Sequence, residues 1–218
     1  MKNLLKKYSH AWVMGYILLY LPWFFYLEGK TGGKYTIMHT ALDDMIPFNE
    51  YFILPYLFWF VYVAGTVLYF FFTSRADYYK LCGFLFVGMT ICMIVFMVYP
   101  NGTDLRVPVN PDKNLCSWLV AMIHAADTST NVFPSIHVYN SLGVHFSIVN
   151  SARLREKKWV RRASFVIMAA ICFSTVGLKQ HSVLDVAGAL ILSFVMYPAV
   201  YSIDYAPSRR TANQKIIG

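Results

Sequence analysis

The sequence predicts an all-α integral membrane protein, a bundle of six transmembrane helices with both termini in the cytoplasm. The composition is 57% hydrophobic and 14% charged, whereas about a quarter of the residues in a soluble domain are charged. Most of the apolar runs approach the ~20 residues that are needed to cross a bilayer. Because no internal repeat or low-complexity tract is visible, residues 1–218 are interpreted as one polytopic domain. The runs lie at about 11–28, 51–73, 81–100, 136–151, 162–178 and 183–203.

Two of these runs require comment. The first follows a basic segment, as in a signal peptide, but bulky aromatic residues at 23–26 occupy the place of a cleavage site. We therefore interpret it as a retained span. The fourth run is interrupted by Asn140, Ser141 and His145, which makes it the weakest of the six predicted spans.

The placement of lysine and arginine predicts the orientation. If the N-terminus is cytoplasmic, fourteen of the nineteen basic residues fall in inner segments, as the positive-inside rule requires. The net charge of +8 then reflects topology and attraction to anionic lipid headgroups, so nucleic-acid binding is the weaker interpretation. We expect a multi-pass protein of the plasma membrane.

The outer segments are then 29–50, 101–135 and 178–182. Residues 101–113 are rich in Asn, Gly, Pro and Asp and are expected to be irregular. Residues 114–126 are predicted to form a short amphipathic helix in the membrane interface.

Two polar clusters lie in these outer segments, each at the start of an apolar run. His181 and Asp185 are four residues apart and share one face of a helix. A carboxylate there can accept a hydrogen bond from one imidazole nitrogen, which leaves the other free to attack. His137 is a second imidazole, available to protonate a leaving alkoxide.

Three further residues suit a phosphate. Ser135 stands where the fourth span begins, and helix N-termini bind phosphate readily. Lys179 and Arg106 supply fixed positive charge, and arginine can bind two phosphate oxygens at once.

The constellation resembles the type 2 phosphatidic acid phosphatase superfamily, whose pattern is K-x6-R-P, then P-S-G-H, then S-R-x5-H-x3-D. The second part is similar to residues 134–137 and the third to 174–185. By motif the resemblance covers about 101–188. It implies His181 as a nucleophile that forms a phosphohistidine, Asp185 as its orienting partner and His137 as the acid. It also implies phosphate binding by Arg106 and Ser135, with no metal and no cofactor.

Three positions depart from that pattern. Tyr99 stands at the family lysine, Ile136 at the glycine and Thr175 at the third-part arginine. Lys179 is expected to restore one missing cation. The Lys-Gln-His-x3-Asp arrangement also looks similar to the branch that includes inositol-phosphorylceramide synthases.

Other polar residues receive structural interpretations. For His10, His39, His124 and His145 we expect capping or bonding roles, with His145 pointing into the bundle. The acidic residues of the first outer loop, Asp43, Asp44 and Glu50, are expected to be solvated. The four cysteines have no paired spacing, which argues against a disulfide framework or a zinc site.

The predicted function is hydrolysis of a lipid phosphomonoester or diphosphate at the outer membrane face, or at a luminal face in a eukaryote. Phosphatidate, phosphatidylglycerol phosphate and a polyprenyl diphosphate are the candidate substrates. A phosphotransferase that moves the phospho-headgroup to an alcohol such as inositol would use the same residues. A lipid-phosphate-binding transporter or scaffold is the non-enzymatic alternative, although transporters commonly contain repeats.

Overall fold

The computed structural model describes residues 8–30 and 33–202, which form a helical bundle with two very short strands. Five helices within these residues are long and apolar enough to cross a membrane, which supports the all-α membrane class. The elements are α1 (Ser9–Glu28), β1 (Thr36–Ile37), α2 (Ala41–Met45), α3 (Ile53–Thr73), α4 (Arg75–Val98), β2 (Asn101–Gly102), α5 (Leu115–Ala126), α6 (Ile136–Asn150), α7 (Lys158–Gly177) and α8 (Val183–Tyr201).

Helix α6 corresponds to the fourth predicted span and differs from the other five. Its 15 residues extend about 22 Å, less than the ~30 Å of a hydrocarbon core. The helix packs against α3, α4, α7 and α8 and is largely buried. Asn140 and Ser141 are thus shielded by other helices, and His145 Nδ1 lies 2.9 Å from Ser164 Oγ, as predicted for a histidine that bonds a neighbour.

Helices α4 and α7 begin earlier than their apolar runs indicate. Helix α4 starts at Arg75, because the side chain of Ser74 accepts a hydrogen bond from the Asp77 amide at 3.3 Å. Helix α7 starts at Lys158. In both cases a charged first turn precedes the apolar segment, and hydropathy alone does not detect it.

The interior is closely packed, whereas the outward faces are apolar and exposed. Tyr139 stacks on Phe84 with 4.8 Å between ring centroids, and its hydroxyl donates to the Phe84 carbonyl at 2.8 Å. On the outside, Leu18, Phe72 and Phe194 are 78%, 63% and 71% exposed. So much exposed apolar surface is typical of a face that contacts lipid.

Connecting segments gather at one end of the bundle, which also holds the N-termini of α6 and α8 and the C-terminus of α7. Strands β1 and β2 pair in parallel there, with Thr36 opposite Asn101. Helix α5 confirms the helix predicted at 114–126, and the Asn114 side chain caps it by accepting from the Ser117 amide at 2.8 Å. The terminal basic residues that contribute to the orientation argument lie outside the described residues.

Candidate functional site

His181 and Asp185 form the centre of the candidate site, at the turn from α7 into α8. His181 Nδ1 lies 3.2 Å from Asp185 Oδ2, and the two residues are 7% and 0% exposed. Asp185 Oδ2 also accepts the Ser182 amide at 2.9 Å, so the carboxylate is fixed by the capping box of α8. Since a carboxylate accepts, Nδ1 carries the proton. Nε2 then presents its lone pair, and no described residue hydrogen-bonds to it.

His137 lies beside this pair, in the first turn of α6. Its ring centroid is 5.7 Å from that of His181, with 61° between the ring planes. Two aromatic rings of α3 hold it: Tyr56 at 4.6 Å and Trp59 at 4.5 Å between centroids. Among the described residues no hydrogen bond to its ring nitrogens is found, so stacking fixes the ring and leaves both nitrogens available for proton transfer.

Arg106 approaches the same turn from the loop that follows β2. Its guanidinium donates to the carbonyls of Asp127 and Thr128, each at 2.7 Å, and to Gln180 Oε1 at 2.8 Å. Gln180 immediately precedes His181, so the arginine lies next to the predicted nucleophile. Burial, followed by the charge of Glu28, raises the pKa of Asp127, although Arg106 opposes the shift.

Two buried donors near His181 have no partner within the described part of the chain. They are Arg106 Nε and Gln180 Nε2. A buried donor without an acceptor is rare and costs free energy comparable to a lost hydrogen bond. Gln180 directly precedes His181 in the chain and accepts a hydrogen bond from Arg106, so an anionic ligand such as a phosphoryl group at this turn would supply the acceptors that both donors lack.

Ser135 joins the two polar clusters through its backbone. Its amide donates to the Asp185 carbonyl at 3.2 Å, and its hydroxyl accepts from the Val138 amide at 3.4 Å as the N-cap of α6. The residue is fully buried. The structure thus places Ser135 in a capping role, and phosphate binding by its hydroxyl stays a prediction.

Lys179 is buried, with 8% of its surface exposed. It therefore does not extend along the surface toward water, as a snorkelling lysine would. Its backbone adopts a left-handed φ of 59° that reverses the chain after α7, and its ammonium donates to the Asp43 carbonyl. An ammonium group has three donors, so this contact is compatible with the predicted phosphate binding.

The two positions that lack the family cations have other roles. Thr175 is fully buried, and its carbonyl accepts the amides of Gln180 and His181 at 3.0 and 3.1 Å. It closes the turn that carries His181. Tyr99 is the C-cap residue of α4 and is 42% exposed. Neither side chain supplies a charge, which leaves Arg106 and Lys179 as the cations of the site among the described residues.

Asp43 is a site residue that the sequence interpretation missed. The expectation of a solvated loop is wrong for Asp43 and Glu50, which are 1% and 7% exposed. The Asp43 carboxylate accepts Ser182 Oγ at 2.6 Å and the Val183 amide at 2.8 Å, so it holds the start of α8. Burial by itself would raise the pKa of Asp43, but these hydrogen bonds and those from Thr40 outweigh it and lower the pKa.

A local signal for Asp43 exists in the sequence. Thr40-x-x-Asp43 is a capping-box pattern, which predicts a carboxylate turned toward its own backbone. The pattern does not indicate the contact with Ser182, 139 positions later in the chain.

His10 and His39 have structural environments, as predicted. The bonding role expected for His124 stays a prediction, because its buried Nε2 has no partner among the described residues. His10 is buried with Nε2 2.9 Å from the Phe71 carbonyl, and His39 lies between Asp44 and Asp104, with 2.8 Å to each. Within the described ranges no group of three or more His, Cys, Asp or Glu side chains is placed to hold a metal ion. Metal independence of the reaction stays a prediction.

Protein-family models, curated proteins and solved structures contain no match to this chain. The arguments for function therefore rest on the residues and geometry of this site.

Proposed function

We propose that the chain is a membrane phosphatase that hydrolyses a lipid phosphomonoester or diphosphate through a phosphohistidine on His181. The observation that carries the proposal is the pairing of His181 Nδ1 with a fully buried Asp185 at 3.2 Å, with the His137 ring 5.7 Å away. A nucleophile, its orienting carboxylate and a second imidazole thus lie side by side, as covalent catalysis requires.

The geometry supports a two-step reaction. In the first step His181 Nε2 attacks phosphorus, the bond from phosphorus to the leaving oxygen breaks, and His137, which the bound phosphate anion keeps protonated, gives its proton to that oxygen. In the second step water attacks the phosphohistidine, the P–N bond breaks, and neutral His137 accepts the proton from water. Asp185 stabilises the positive charge on His181 while the P–N bond exists.

Arg106 and Gln180 would bind the equatorial phosphoryl oxygens. Their unpartnered donors would hydrogen-bond to oxygens that become more negative as the leaving group departs, and such preorganised donors are a major source of catalytic rate. Because the arginine is already fixed by three hydrogen bonds of 2.7–2.8 Å, little reorganisation is needed on binding.

The position of the site favours a lipid substrate. It lies at the end of a bundle whose outward faces are apolar, so a headgroup at the membrane surface could reach His181 while its acyl chains remain in the bilayer. We place this end outside the plasma membrane on the basis of the lysine and arginine asymmetry.

The test is phosphate release by the purified protein in detergent with EDTA. The substrates are phosphatidate, phosphatidylglycerol phosphate and a polyprenyl diphosphate, and His181→Ala is compared with His39→Ala, a histidine at the same end that is not part of the site. We expect the first variant to lose release and the second to retain it. Labelled phosphate should also remain on the wild-type protein after alkaline quenching, under which phosphohistidine is stable.

Other outcomes separate the alternatives. Activity that survives His181→Ala would remove His181 as the nucleophile. Absence of release, with transfer of the phospho-headgroup to inositol, would identify a phosphotransferase. Binding of lipid phosphate with neither release nor transfer would favour a transporter or scaffold.

A further inference from the structure

A cavity lies between α6 and α7, remote from His181. It has a volume of about 660 Å³. Its three cations, Lys158, Arg161 and Arg162, lie about 22–29 Å along α7 from Gly177, given the 1.5 Å rise per helical residue. It is therefore distinct from the candidate phosphatase site. The residues that line it are His145, Val149, Lys158, Arg161, Arg162, Phe165 and Val166.

The residues that α7 contributes form one continuous stripe. Lys158, Arg161, Arg162, Phe165 and Val166 follow the i, i+3, i+4, i+7, i+8 spacing of a single helix face. The three cations lie at the start of the helix, and the two apolar residues lie about one turn further along it. Phe165 and Val166 are 55% and 64% exposed, so this face is open toward the surrounding membrane.

The three cations are not neutralised within the described part of the chain, where none of them forms an ion pair with a carboxylate. Arg161 Nη1 donates to the Arg155 carbonyl at 3.3 Å, whereas Arg155 itself pairs with Glu156 at 3.4 Å. Three like charges within about one helical turn repel one another, and a bound anion would relieve that repulsion.

His145 is a polar residue that lines the cavity on the α6 side. Its Nδ1 is fixed by Ser164 Oγ at 2.9 Å, and Ser164 Oγ lies 2.7 Å from the Tyr62 hydroxyl. No described residue hydrogen-bonds to His145 Nε2. The cavity thus combines cations at the mouth, a polar residue on the α6 side and an apolar flank that faces lipid.

We propose that this cavity binds one anionic phospholipid of the adjacent leaflet. The phosphate lies against Lys158, Arg161 and Arg162, and an acyl chain runs along Phe165 and Val166. Charge complementarity selects an anionic headgroup, and the exposed apolar continuation of the stripe selects a lipid over a soluble phosphate. The proposal does not depend on the activity at His181.

The experiment measures phosphatidylglycerol bound to the purified protein in neutral detergent by native mass spectrometry. All proteins carry His181→Ala so that turnover cannot consume the lipid. Lys158→Gln/Arg161→Gln/Arg162→Gln is compared with Arg153→Gln/Arg155→Gln/Lys157→Gln, which removes the same charge from the same basic segment but outside the cavity. Thermal unfolding in detergent confirms that both variants are folded.

We expect the cavity variant to lose one bound phosphatidylglycerol, with about a hundredfold weaker affinity, since each cation contributes roughly fivefold to attraction of an anionic lipid. The control variant should bind as the parent protein does, and phosphatidylcholine should bind weakly to all three. If the triple variant is unfolded, Arg161→Gln and Arg162→Gln are measured singly, each with an expected loss of about fivefold.

Three results would overturn the proposal. Equal loss in both triple variants would show that the charge acts diffusely and that no site exists. Equal binding of phosphatidylcholine and phosphatidylglycerol would exclude recognition of an anionic headgroup. Displacement of the bound lipid by inorganic phosphate alone would show that the cavity binds free phosphate.

Discussion

Asp43→Asn tests whether the first connecting segment positions the nucleophile. The Asp43 carboxylate accepts four hydrogen bonds: from the amide and hydroxyl of Thr40 at 2.8 and 2.9 Å, from Ser182 Oγ at 2.6 Å and from the Val183 amide at 2.8 Å. Three of them end on Oδ2 and one, from Val183, on Oδ1. Asparagine with its oxygen at the Oδ2 position keeps three acceptor contacts, loses the fourth and removes the charge.

The size of the effect follows from these contacts. A hydrogen bond to a charged group contributes about 1.5–3 kcal/mol, so losing one and weakening three should lower the free energy of unfolding by about 2–4 kcal/mol. For a chain of this size that corresponds to a decrease of roughly 5–15 °C in Tm. Because Ser182 and Val183 directly follow His181, we also expect kcat to fall about 10–100-fold through misplacement of the imidazole, with KM less affected.

The assays are thermal unfolding in detergent and steady-state phosphate release, with Asp44→Asn as the matched control. Asp44 is the next residue of α2 and is exposed, and its contact with His39 is a surface pair of small energetic value. The lowered pKa of Asp43 adds a pH dependence. Its stabilisation is present above the ordinary pKa of 3.8 and is lost as pH falls through the lower folded-state pKa. The Tm difference between wild type and Asp43→Asn should therefore narrow below about pH 3.8.

The reasoning would be refuted if Asp43→Asn matched Asp44→Asn in both Tm and kcat. A lower Tm with unchanged kcat would give Asp43 a purely structural role and remove it as a positioning residue.

Three further predictions concern packing, pH and phosphate binding. In Gly88→Ala the added Cβ would lie 2.0 Å from the Tyr139 ring, so Tm should fall by an amount equivalent to about 1–3 kcal/mol of overpacking. Gly83→Ala is the control, because a Cβ at Gly83 would have nothing within 4 Å. Equal Tm values for the two variants would contradict the packing of Tyr139 against Gly88. Hydrogen bonds that the His39 ring donates to Asp44 and Asp104 raise its pKa. The Tm advantage of wild type over His39→Gln should therefore be full below the ordinary pKa of 6.5 and disappear as pH rises through the folded-state pKa. A pH-independent difference in Tm would contradict this prediction. Arg106→Lys retains the charge but not the planar fork, so phosphate release at subsaturating lipid should fall by at least about tenfold, and unchanged kcat/KM would remove the arginine from the site.

Much of the candidate site was predictable because its signals are local. The four-residue spacing of His181 and Asp185 is sufficient to place both side chains on one helix face, and they lie 3.2 Å apart. The cap of α6 at Ser135 was predictable for the same reason, since capping depends on a single turn of backbone.

Contacts between residues that are far apart in the sequence were decided by the tertiary structure. Contacts of Asp43 with Ser182 and of Arg106 with Gln180 join positions 139 and 74 residues apart, and no local pattern specifies such pairs. The burial of Lys179 against Asp43 also depends on how the first connecting segment folds over α8.

The sequence by itself determined the membrane class and the approximate extents of the helices, because apolar runs of membrane length must be buried in lipid or protein wherever they lie. It also determined the pairing within the His181 turn. Only the tertiary structure decided that α6 is a short central helix and that Asp43 holds α8. It also decided that a cationic cavity opens between α6 and α7. These features depend on which helix faces meet, and that is set by packing across the whole chain.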